Sequence, residues 1–364
     1  MPDFVTLTQF FILFSVITLR KLIVFRRFIF GWLAYFMYRK NHCNIKYCFL
    51  LMLLLFSSNL FAQYDTQFSQ YMLNQGTFNP GSIGEGEDMT VTLLNRQQWV
   101  NIDNAPSTFF LHAAIPKFIG NQRNGFGLVI MKESIGLFST QLLQLQYAYK
   151  KPLFGGLLGI GLQGGMLQQN FDASGIHIPS SEYHVTTDLS IPTGTLEGKI
   201  PDFSAGIWFS RPRFYTGISA SHLLESTIKL KENEETTDEE SYKTHAARTY
   251  YLTGGYNILF ANPLYTLQPS FLLKSDLIAW QADVSARLFY KERFWGIVGW
   301  RPEDAIILSA GIKLPQGLSI GYSYDISIKA LSGVSGGSHE IFLSYSKKIE
   351  TATVSKKQKS VRIL

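Results

Sequence analysis

The strongest constraint on this chain is a two-residue alternation of apolar and polar side chains. In one run, Leu143, Leu145 and Tyr147 fall on one face, and Gln144 and Gln146 fall on the other. Side chains on a β-strand point to opposite faces with this period. Because similar runs recur throughout the chain after residue 88, the sequence predicts a sheet with one apolar and one polar face.

The length of the runs indicates which kind of sheet this is. No stretch after Ala62 stays apolar for the roughly 18 residues that a transmembrane helix needs, whereas alternation over about ten residues is typical of a transmembrane barrel strand. Inner-face charges such as Asp283 and Arg287 indicate a polar lumen. We therefore predict an all-β fold, a transmembrane antiparallel β-barrel of about 14 strands. The barrel is expected to occupy residues 88–346 and to follow an N-terminal signal peptide.

The strands are placed by the limits of each alternating run and by the turn residues between the runs. They are expected near 88–98, 107–115, 125–132, 141–149, 156–170, 202–210, 213–222, 248–259, 265–274, 279–290, 294–301, 305–313, 318–325 and 338–347.

The connections divide into two sets. One alternate set is mostly short, and the other includes the long loops 171–201, 223–247 and 326–337. Outer-membrane barrels have short periplasmic turns and longer outer loops. Because an even strand count returns the chain to its starting side, the sequence predicts an outer-membrane protein with both termini in the periplasm.

The first 62 residues differ from the rest. A basic start at 37–40, an apolar run at 47–56 and small Ala62 form the three-part layout of a secretory signal peptide. We expect residues 1–36 to be an upstream extension, 37–62 a signal peptide, and 63–87 a periplasmic or lumenal segment. The alternative is an N-terminal membrane anchor.

Charge and cysteine content narrow the possible functions. Residues 1–62 hold seven of the 33 bases and one of the 27 acids, so the body carries 26 of each and is neutral. A neutral body gives no support for a nucleic-acid partner. Both cysteines, Cys43 and Cys48, precede the body, which therefore has no thiolate metal site. We expect no cofactor.

Two further stretches have a distinct composition. Six acids lie between Glu232 and Glu240, and hard cations such as Ca²⁺ prefer several carboxylates. The stretch lacks the EF-hand spacing, so a solvated acidic loop is the alternative. Residues 347–364 contain six bases, one acid and no apolar period, which predicts a disordered basic tail.

The segment before the first strand is the best candidate for a functional surface. We expect it at the periplasmic face or folded into the lumen, with its aromatic side chains as anchors and its amides bonded to the polar wall. The alternative is a plug with a purely structural role. The candidate partner-binding residues here are Phe68, Gln70, Tyr71, Met72, Asn74, Phe78, Asn79 and Pro80.

A second candidate group, Arg96, Trp99 and Asp103, lies at the far end of the first strand. Trp99 is either a residue of the aromatic belt at the membrane interface or an anchor for a partner.

No catalytic site is predicted. Ser221-His222 and Ser338-His339 are adjacent pairs on predicted strands, so their side chains should point to opposite faces and cannot act as nucleophile and base. The sequence contains no GxSxG, Walker or HExxH motif.

Several segments resemble the PorP/SprF family of outer-membrane proteins, and together they span about Gln67 to Ser346. QFSQYMLNQGTFNPGSIG is similar to the family's opening motif, and NRQQWVNIDNAPST to its first strand and loop. PDFSAGIWFSRPRFYTGISASHLL resembles the central hairpin, and residues 267–301 and 317–346 resemble the late strands. The chain departs from the family at Asn74-Gln75, where Asn-Pro is common, and in its basic tail.

The resemblance implies a non-enzymatic component of the type IX secretion and gliding machinery of Bacteroidota. Such a barrel binds secretion-machine proteins or anchors an exported cell-surface adhesin, within outer-membrane lipid and without nucleic acid or a small-molecule substrate. The alternative, which a polar lumen supports, is a passive outer-membrane porin. The two functions differ in whether residues 67–81 close the lumen.

Overall fold

The computed structural model describes residues 65–175, 192, 194–232, 242–328 and 332–349. Short 3-10 turns occur at Tyr71–Leu73, Gln75–Thr77, Pro80–Ser82 and Ala173–Gly175. The strands are β1 (Asp88–Gln97), β2 (Ser107–Ile119), β3 (Gln122–Ile135), β4 (Phe138–Leu153), β5 (Gly156–Asp172), β6 (Thr195–Ser210), β7 (Phe214–Ser221), β8 (Thr227–Leu230), β9 (Tyr242–His245), β10 (Thr249–Tyr256), β11 (Ile258–Leu259), β12 (Tyr265–Ser275), β13 (Trp280–Tyr290), β14 (Phe294–Arg301), β15 (Ala305–Lys313), β16 (Leu318–Ser327) and β17 (Ser338–Lys348).

Fourteen of these strands form one closed antiparallel barrel, as predicted. The wall consists of β1–β7, β10 and β12–β17, each paired with the next along the chain. Pairing of β10 with β12 continues the wall past the two-residue strand β11, and pairing of β1 with β17 closes it. Closure removes the open strand edges that would otherwise expose unpaired backbone groups.

The two faces of the wall follow the predicted alternation. On β4, 53% of Leu143 and 68% of Leu145 are exposed on the outside, whereas 1% of Gln144 is exposed on the inside. On β13, Val284 lies outside and Asp283 is buried inside. The apolar face is therefore the one in contact with lipid.

Several strands extend further than the alternating runs predicted. β4 was expected at 141–149 but runs from Phe138 to Leu153, because backbone pairing continues through Lys150 and Pro152. The loop expected at 223–247 contains an additional hairpin, β8–β9. Apolar side chains of β8 hold this hairpin against the barrel, where Ile228 and Leu230 pack with Leu167 and Leu196.

We call the side of the barrel with the long connections the long-loop end, and the other side the short-turn end. The wall begins and ends at the short-turn end, where Asp88 pairs with Lys348. Lys347 and Lys348, which the sequence assigned to the tail, belong to β17.

Several sequence predictions lie outside the described residues. They are the upstream extension and signal peptide within 1–64, the acidic stretch beyond Glu232, and the tail after residue 349. Within the described part of the chain, no helix is long and apolar enough to cross a membrane.

The lipid-facing side chains give a first testable prediction. Leu145→Arg, at the middle of β4, should lower the free energy of unfolding by about 2–4 kcal/mol, because a cation at the membrane midplane loses its hydration. Leu259→Arg is the matched control, since Leu259 is 66% exposed but lies beside a short turn; we expect about 0–1 kcal/mol there. Urea unfolding in lipid vesicles measures both. Equal losses would contradict the assigned depth.

Candidate functional site

The segment from Asp65 to Glu87, here called the luminal segment, runs through the barrel from the long-loop end to the short-turn end. At its start, the Asp65 carboxylate accepts a hydrogen bond from the Tyr251 hydroxyl (2.5 Å), near the long-loop end of β10. Near its finish, the Glu85 carboxylate accepts a bond from the Trp208 indole N–H (2.8 Å), near the short-turn end of β6. The lumen is therefore occupied along its length.

The turn Asn79-Pro80-Gly81 fits the segment to the wall. The Asn79 side-chain oxygen accepts from the Gly81 N–H (2.8 Å), and proline sits in the first turn, where its missing N–H costs nothing. The Asn79 amide nitrogen donates to the carbonyls of Ile207 (3.1 Å) and Ile218 (3.2 Å) on β6 and β7. One asparagine thus shapes the turn and fastens it to two strands.

Glycines on β5 allow this turn to lie directly against the wall. A Cβ placed on Gly159 would overlap the backbone of Gly81, and a Cβ on Gly161 would overlap Pro80 and Gly81. Only a residue without a side chain permits so close an approach between two backbones.

The middle of the segment is apolar and packs on apolar residues inside the barrel. The rings of Phe68 and Phe110 lie 5.3 Å apart, and Phe78 stacks on Tyr251 at 5.7 Å. The Tyr71 hydroxyl is within hydrogen-bond distance of Ser270 Oγ (3.0 Å).

A group of buried charged residues lies next to this apolar layer. It is here called the charge cluster and consists of Arg96, Arg301, Asp283, Asp325 and Glu340. The Arg96 guanidinium contacts Asp325 (2.8 Å) and Glu340 (3.2 Å), and Arg301 contacts Asp283 (2.6 Å) and Asp325 (3.2 Å). Each of the five residues is at most 2% exposed. Buried charges persist only when they are paired and hydrogen-bonded, which is the arrangement found here.

The luminal segment is bonded directly to the charge cluster. The backbone N–H groups of Ser69 and Gln70 donate to the Glu340 carboxylate (2.7 and 2.9 Å). The Ser69 hydroxyl donates to Asp325 (2.6 Å) and accepts from Arg96 (2.7 Å). Charge-assisted hydrogen bonds are stronger than neutral ones, so the cluster fixes the position of the segment along the barrel axis.

A neutral polar network holds the next stretch. His112 Nδ1 lies 2.9 Å from the Asn74 side-chain oxygen, and its Nε2 lies 2.9 Å from that of Gln146. Gln146 also donates to the Gly76 carbonyl (2.8 Å). Side-chain amides therefore connect the segment to β2 and β4.

The first described residue of the segment is held by a histidine. His222, just beyond β7, has Nδ1 2.9 Å from Asp202 and Nε2 3.8 Å from Asp65. Burial alone would lower the pKa of His222, but the two carboxylates outweigh burial and raise it to about 10. Burial alone would raise the pKa of Asp65, but hydrogen bonds with His222 and Tyr251 hold it below its usual range. Both groups are therefore ionised at neutral pH.

The shifted pKa of His222 predicts a pH dependence. The stabilisation that it provides is full below about pH 6.5 and is lost as the pH rises through about 10, because deprotonation then removes its charge. The contribution of Asp65, whose pKa is lowered, is lost only in strong acid. We expect the wild-type free energy of unfolding to fall more than that of His222→Gln between about pH 7 and about 10.

Urea unfolding of both proteins at a series of pH values measures this difference. His245→Gln is the control, because His245 is exposed at the same end of the barrel, and it should follow the wild type. A gap between wild type and His222→Gln that stays constant with pH would rule out the assignment.

The structure brings most of the sequence-predicted site residues into one place, but inside the barrel. All eight candidates between Phe68 and Pro80 are buried against the wall, and Arg96 belongs to the charge cluster. Trp99 is half-buried at the long-loop end, and Asp103 is exposed in the loop after β1. These nine residues are buried in this conformation, so the partner-binding role predicted for them would require the segment to move, and it stays a prediction.

Several residues of the site were not singled out from the sequence. Ser69, Arg301 and Glu340 join the segment to the wall, and Asp65 and His222 fix its start. The one sequence feature that pointed to such residues was a charged side chain at an inner-face position of a strand. That feature does not show which charged side chains contact each other across the lumen.

The prediction that the side chains of Ser221 and His222 point to opposite faces is wrong. Ser221 and His222 both line the same small cavity, because His222 lies beyond the strand with a φ of 54°. Both of its ring nitrogens face carboxylates, Asp202 and Asp65. His222 is therefore positioned as a cation in an ion pair.

Among the described residues, a small and a larger cavity lie beside the luminal segment. The small one, of about 50 Å³, lies between the segment and the wall and has room for a few water molecules. The larger one, of about 890 Å³, lies at the long-loop end above residues 65–67 and is here called the vestibule. Among the described residues, no group of three or more histidine, cysteine, aspartate or glutamate side chains is arranged to hold a metal ion.

Comparison with solved structures finds other membrane barrels at low identity. The chain is similar to the toluene transporter TbuX of Ralstonia pickettii, at 11% identity over 77% of this chain and 93% of that one, with a TM-score of 0.47. It is also similar to the monoaromatic hydrocarbon channel CymD, at 12% identity over 80% and 96%, with a TM-score of 0.45. A mutant porin of Rh. blastica matches at 8% identity over 71% and 99%, with a TM-score of 0.32.

The sequence itself matches one family model. Comparison with curated proteins gives no match. The family model described as type IX secretion system membrane protein PorP/SprF matches residues 60–345, well over half of the chain. The protein therefore belongs to the PorP/SprF family of type IX secretion system membrane proteins.

Proposed function

We propose that this protein is a non-enzymatic adaptor of the type IX secretion system, which binds secretion-machine proteins or anchors an exported adhesin at the cell surface. The observation that carries the proposal is the luminal segment, because a barrel whose lumen is filled is suited to binding at its ends and not to passing solutes. Charged bonds at Glu340 and two hydrogen bonds from Asn79 hold the segment in place.

The proposal includes an orientation in the outer membrane. Outer-membrane barrels have short turns on the periplasmic side, so the short-turn end, with Lys348, faces the periplasm. The luminal segment then runs outward from Asp88 to Asp65, which lies near the cell exterior. The segment thus crosses the barrel before the wall begins. The periplasmic N-terminus stays a prediction, because the residues before Asp65 lie outside the described part of the chain.

The second candidate function is a passive porin, which the polar inner face favours. A porin requires a water-filled passage, whereas the described part of this lumen is packed with side chains of the segment, including Phe68 and Phe78. Ion conductance separates the two functions.

The test combines a pull-down with a conductance measurement on the same protein. The tagged barrel is purified from outer membranes in mild detergent, and bound proteins are identified by mass spectrometry. An adaptor should recover a large exported surface protein or periplasmic secretion proteins, and should not conduct ions in a planar bilayer. Steady porin-like conductance, with only general barrel-assembly factors recovered, would overturn the proposal.

A further inference from the structure

The outside of the barrel carries aromatic side chains near its short-turn end. Tyr149 on β4 (39% exposed) and Tyr345 on β17 (40% exposed) point outward, because their strand neighbours Ala148 and Ser344 are buried inside. Rings in this position are typical of the interface between membrane and water. Other outward rings near the same end are those of Phe209, Phe214, Tyr265, Tyr290 and Phe294.

Basic residues lie directly beyond these rings, in the short turns or in the last residues of the strands that lead into them. All are exposed, and together they are here called the basic rim: Lys117, Lys151, Arg211, Arg213, Lys291, Arg293, Lys313, Lys347 and Lys348. The acids at the same end, among the described residues, are Glu85, Glu87, Asp88 and Glu292. Within the described part of the chain, Lys348 is the one member of the rim in an ion pair, with Glu87 at 3.2 Å. Most of the positive charge of the rim is therefore not balanced by nearby carboxylates.

Two bases of the rim are stacked on outward rings. The Arg211 guanidinium carbon lies 5.7 Å from the centre of the Phe209 ring and 5.8 Å from that of Phe214. The Lys291 ammonium nitrogen lies 5.1 Å from the centre of the Tyr290 ring. Cations are attracted to the faces of aromatic rings at such distances, so these two charges are held at the level of the membrane interface.

Two bases at the long-loop end, by contrast, have carboxylate partners on the protein. Lys199 pairs with Glu197 and Arg248 pairs with Glu225, each at 3.3 Å. The basic rim must instead obtain counter-ions from its surroundings, and either lipid phosphates or an acidic protein surface would supply them. Stacking on lipid-facing rings favours lipid phosphates, because it places the bases beside the headgroups.

We propose that the basic rim binds the phosphate groups of anionic phospholipids such as phosphatidylglycerol, whose acyl chains lie against the outward rings. Arg211 donates one hydrogen bond to the Phe154 carbonyl, and a guanidinium has five N–H donors, so it has others for a phosphate. Because the short-turn end faces the periplasm in the proposed orientation, these lipids belong to the inner leaflet of the outer membrane. The inference goes beyond the adaptor function and does not depend on it.

The experiment measures lipid binding to the whole protein in detergent by native mass spectrometry. The probes are dioleoyl phosphatidylglycerol and dioleoyl phosphatidylcholine, which have the same acyl chains and differ in headgroup charge. We expect phosphatidylglycerol to bind at least about fivefold more tightly, because basic residues attract anionic headgroups. Glycerol phosphate has no acyl chains and should bind at least about tenfold more weakly than phosphatidylglycerol, because it buries no apolar surface on the rings.

A double variant locates the site. Lys151→Gln combined with Arg211→Gln removes two positive charges from adjacent turns, and should weaken phosphatidylglycerol binding about tenfold while phosphatidylcholine binding stays unchanged. Lys132→Gln combined with Lys243→Gln is the matched control. It removes two positive charges from exposed residues at the long-loop end, and should alter the binding of either lipid less than about twofold. Heat-dependent migration on SDS gels verifies that both barrels have folded.

Equal affinity of the wild type for the two phospholipids would overturn the proposal, as would equal weakening in the rim variant and the control variant. Glycerol phosphate binding as tight as that of phosphatidylglycerol would indicate a general anion site and not a lipid site. The pull-down tests the other source of negative charge. A rim variant that keeps its lipid preference but no longer recovers periplasmic secretion proteins would identify the rim as a docking surface for an acidic protein, and would also overturn the proposal.

Discussion

Replacement of Arg96 by methionine should lower the free energy of unfolding by about 3–5 kcal/mol, because it leaves buried carboxylates without their countercharge. Arg96 is 1% exposed and contacts Asp325, Glu340 and the Ser69 hydroxyl. Methionine matches the length of the side chain but supplies no donor. Urea unfolding in lipid vesicles, followed by tryptophan fluorescence, measures the loss.

Two further variants show whether the loss of stability in Arg96→Met comes from its buried charge. Lys348→Met removes a cation from an exposed pair with Glu87 (3.2 Å), and exposed pairs contribute about 0–1 kcal/mol. Arg96→Lys restores the charge but cannot bridge three acceptors as a planar guanidinium does, so its loss should be intermediate. A loss for Arg96→Met no larger than for Lys348→Met would show that the charge cluster does not stabilise the barrel.

The barrel wall could be predicted closely from the sequence, because the pattern that specifies each strand lies within that strand's own residues. The apolar face of a strand must meet lipid, so alternation alone assigns inside and outside, as at Leu145 and Gln144. The hydrogen-bond ladder needs no particular side chains, which is why the ends of β4 could not be located. Backbone pairing there continues past the last apolar residue.

The luminal segment could be predicted only in outline. Its aromatic and amide residues indicated a plug, but the direction in which it crosses the barrel depends on contacts between residues far apart in sequence. Ser69 meets Glu340, and Asp65 meets His222. No local pattern records such pairings, because a charge on an inner face is compatible with water or with any partner across the lumen.

The course of the chain before β1 could not be predicted for the same reason. An even number of strands fixes where the wall begins and ends, and it says nothing about residues before the first strand. Asp65 therefore lies at the long-loop end although Asp88 lies at the short-turn end. The segment that closes the lumen also forms the floor of the vestibule, so any ligand bound there would sit directly on it.

The close contact between the segment and β5 provides the most direct test of lumen closure. Gly161→Val should expel the middle of the luminal segment, because a side chain at this position would overlap the backbone of Pro80 and Gly81. Valine is well suited to a strand, so the wall itself should still form, at a cost of about 1–3 kcal/mol for overpacking. We expect ion conductance to appear in planar bilayers where the wild type shows none.

A matched glycine on the wall controls for the substitution itself. A Cβ on Gly296 of β14 would lie 3.8 Å from its nearest atom, the Ser309 carbonyl oxygen, which is ordinary van der Waals contact. The lumen of the Gly296→Val barrel should therefore stay closed and show no ion conductance. Gly81→Ala is a milder variant, because its Cβ would lie 2.9 and 3.1 Å from the carbonyl oxygens of Gly206 and Gly159. Its lumen should open less often than that of Gly161→Val. Heat-dependent migration on SDS gels verifies that each barrel has folded. A folded Gly161→Val barrel that remains closed would mean that the segment does not block the pore in the way this packing requires.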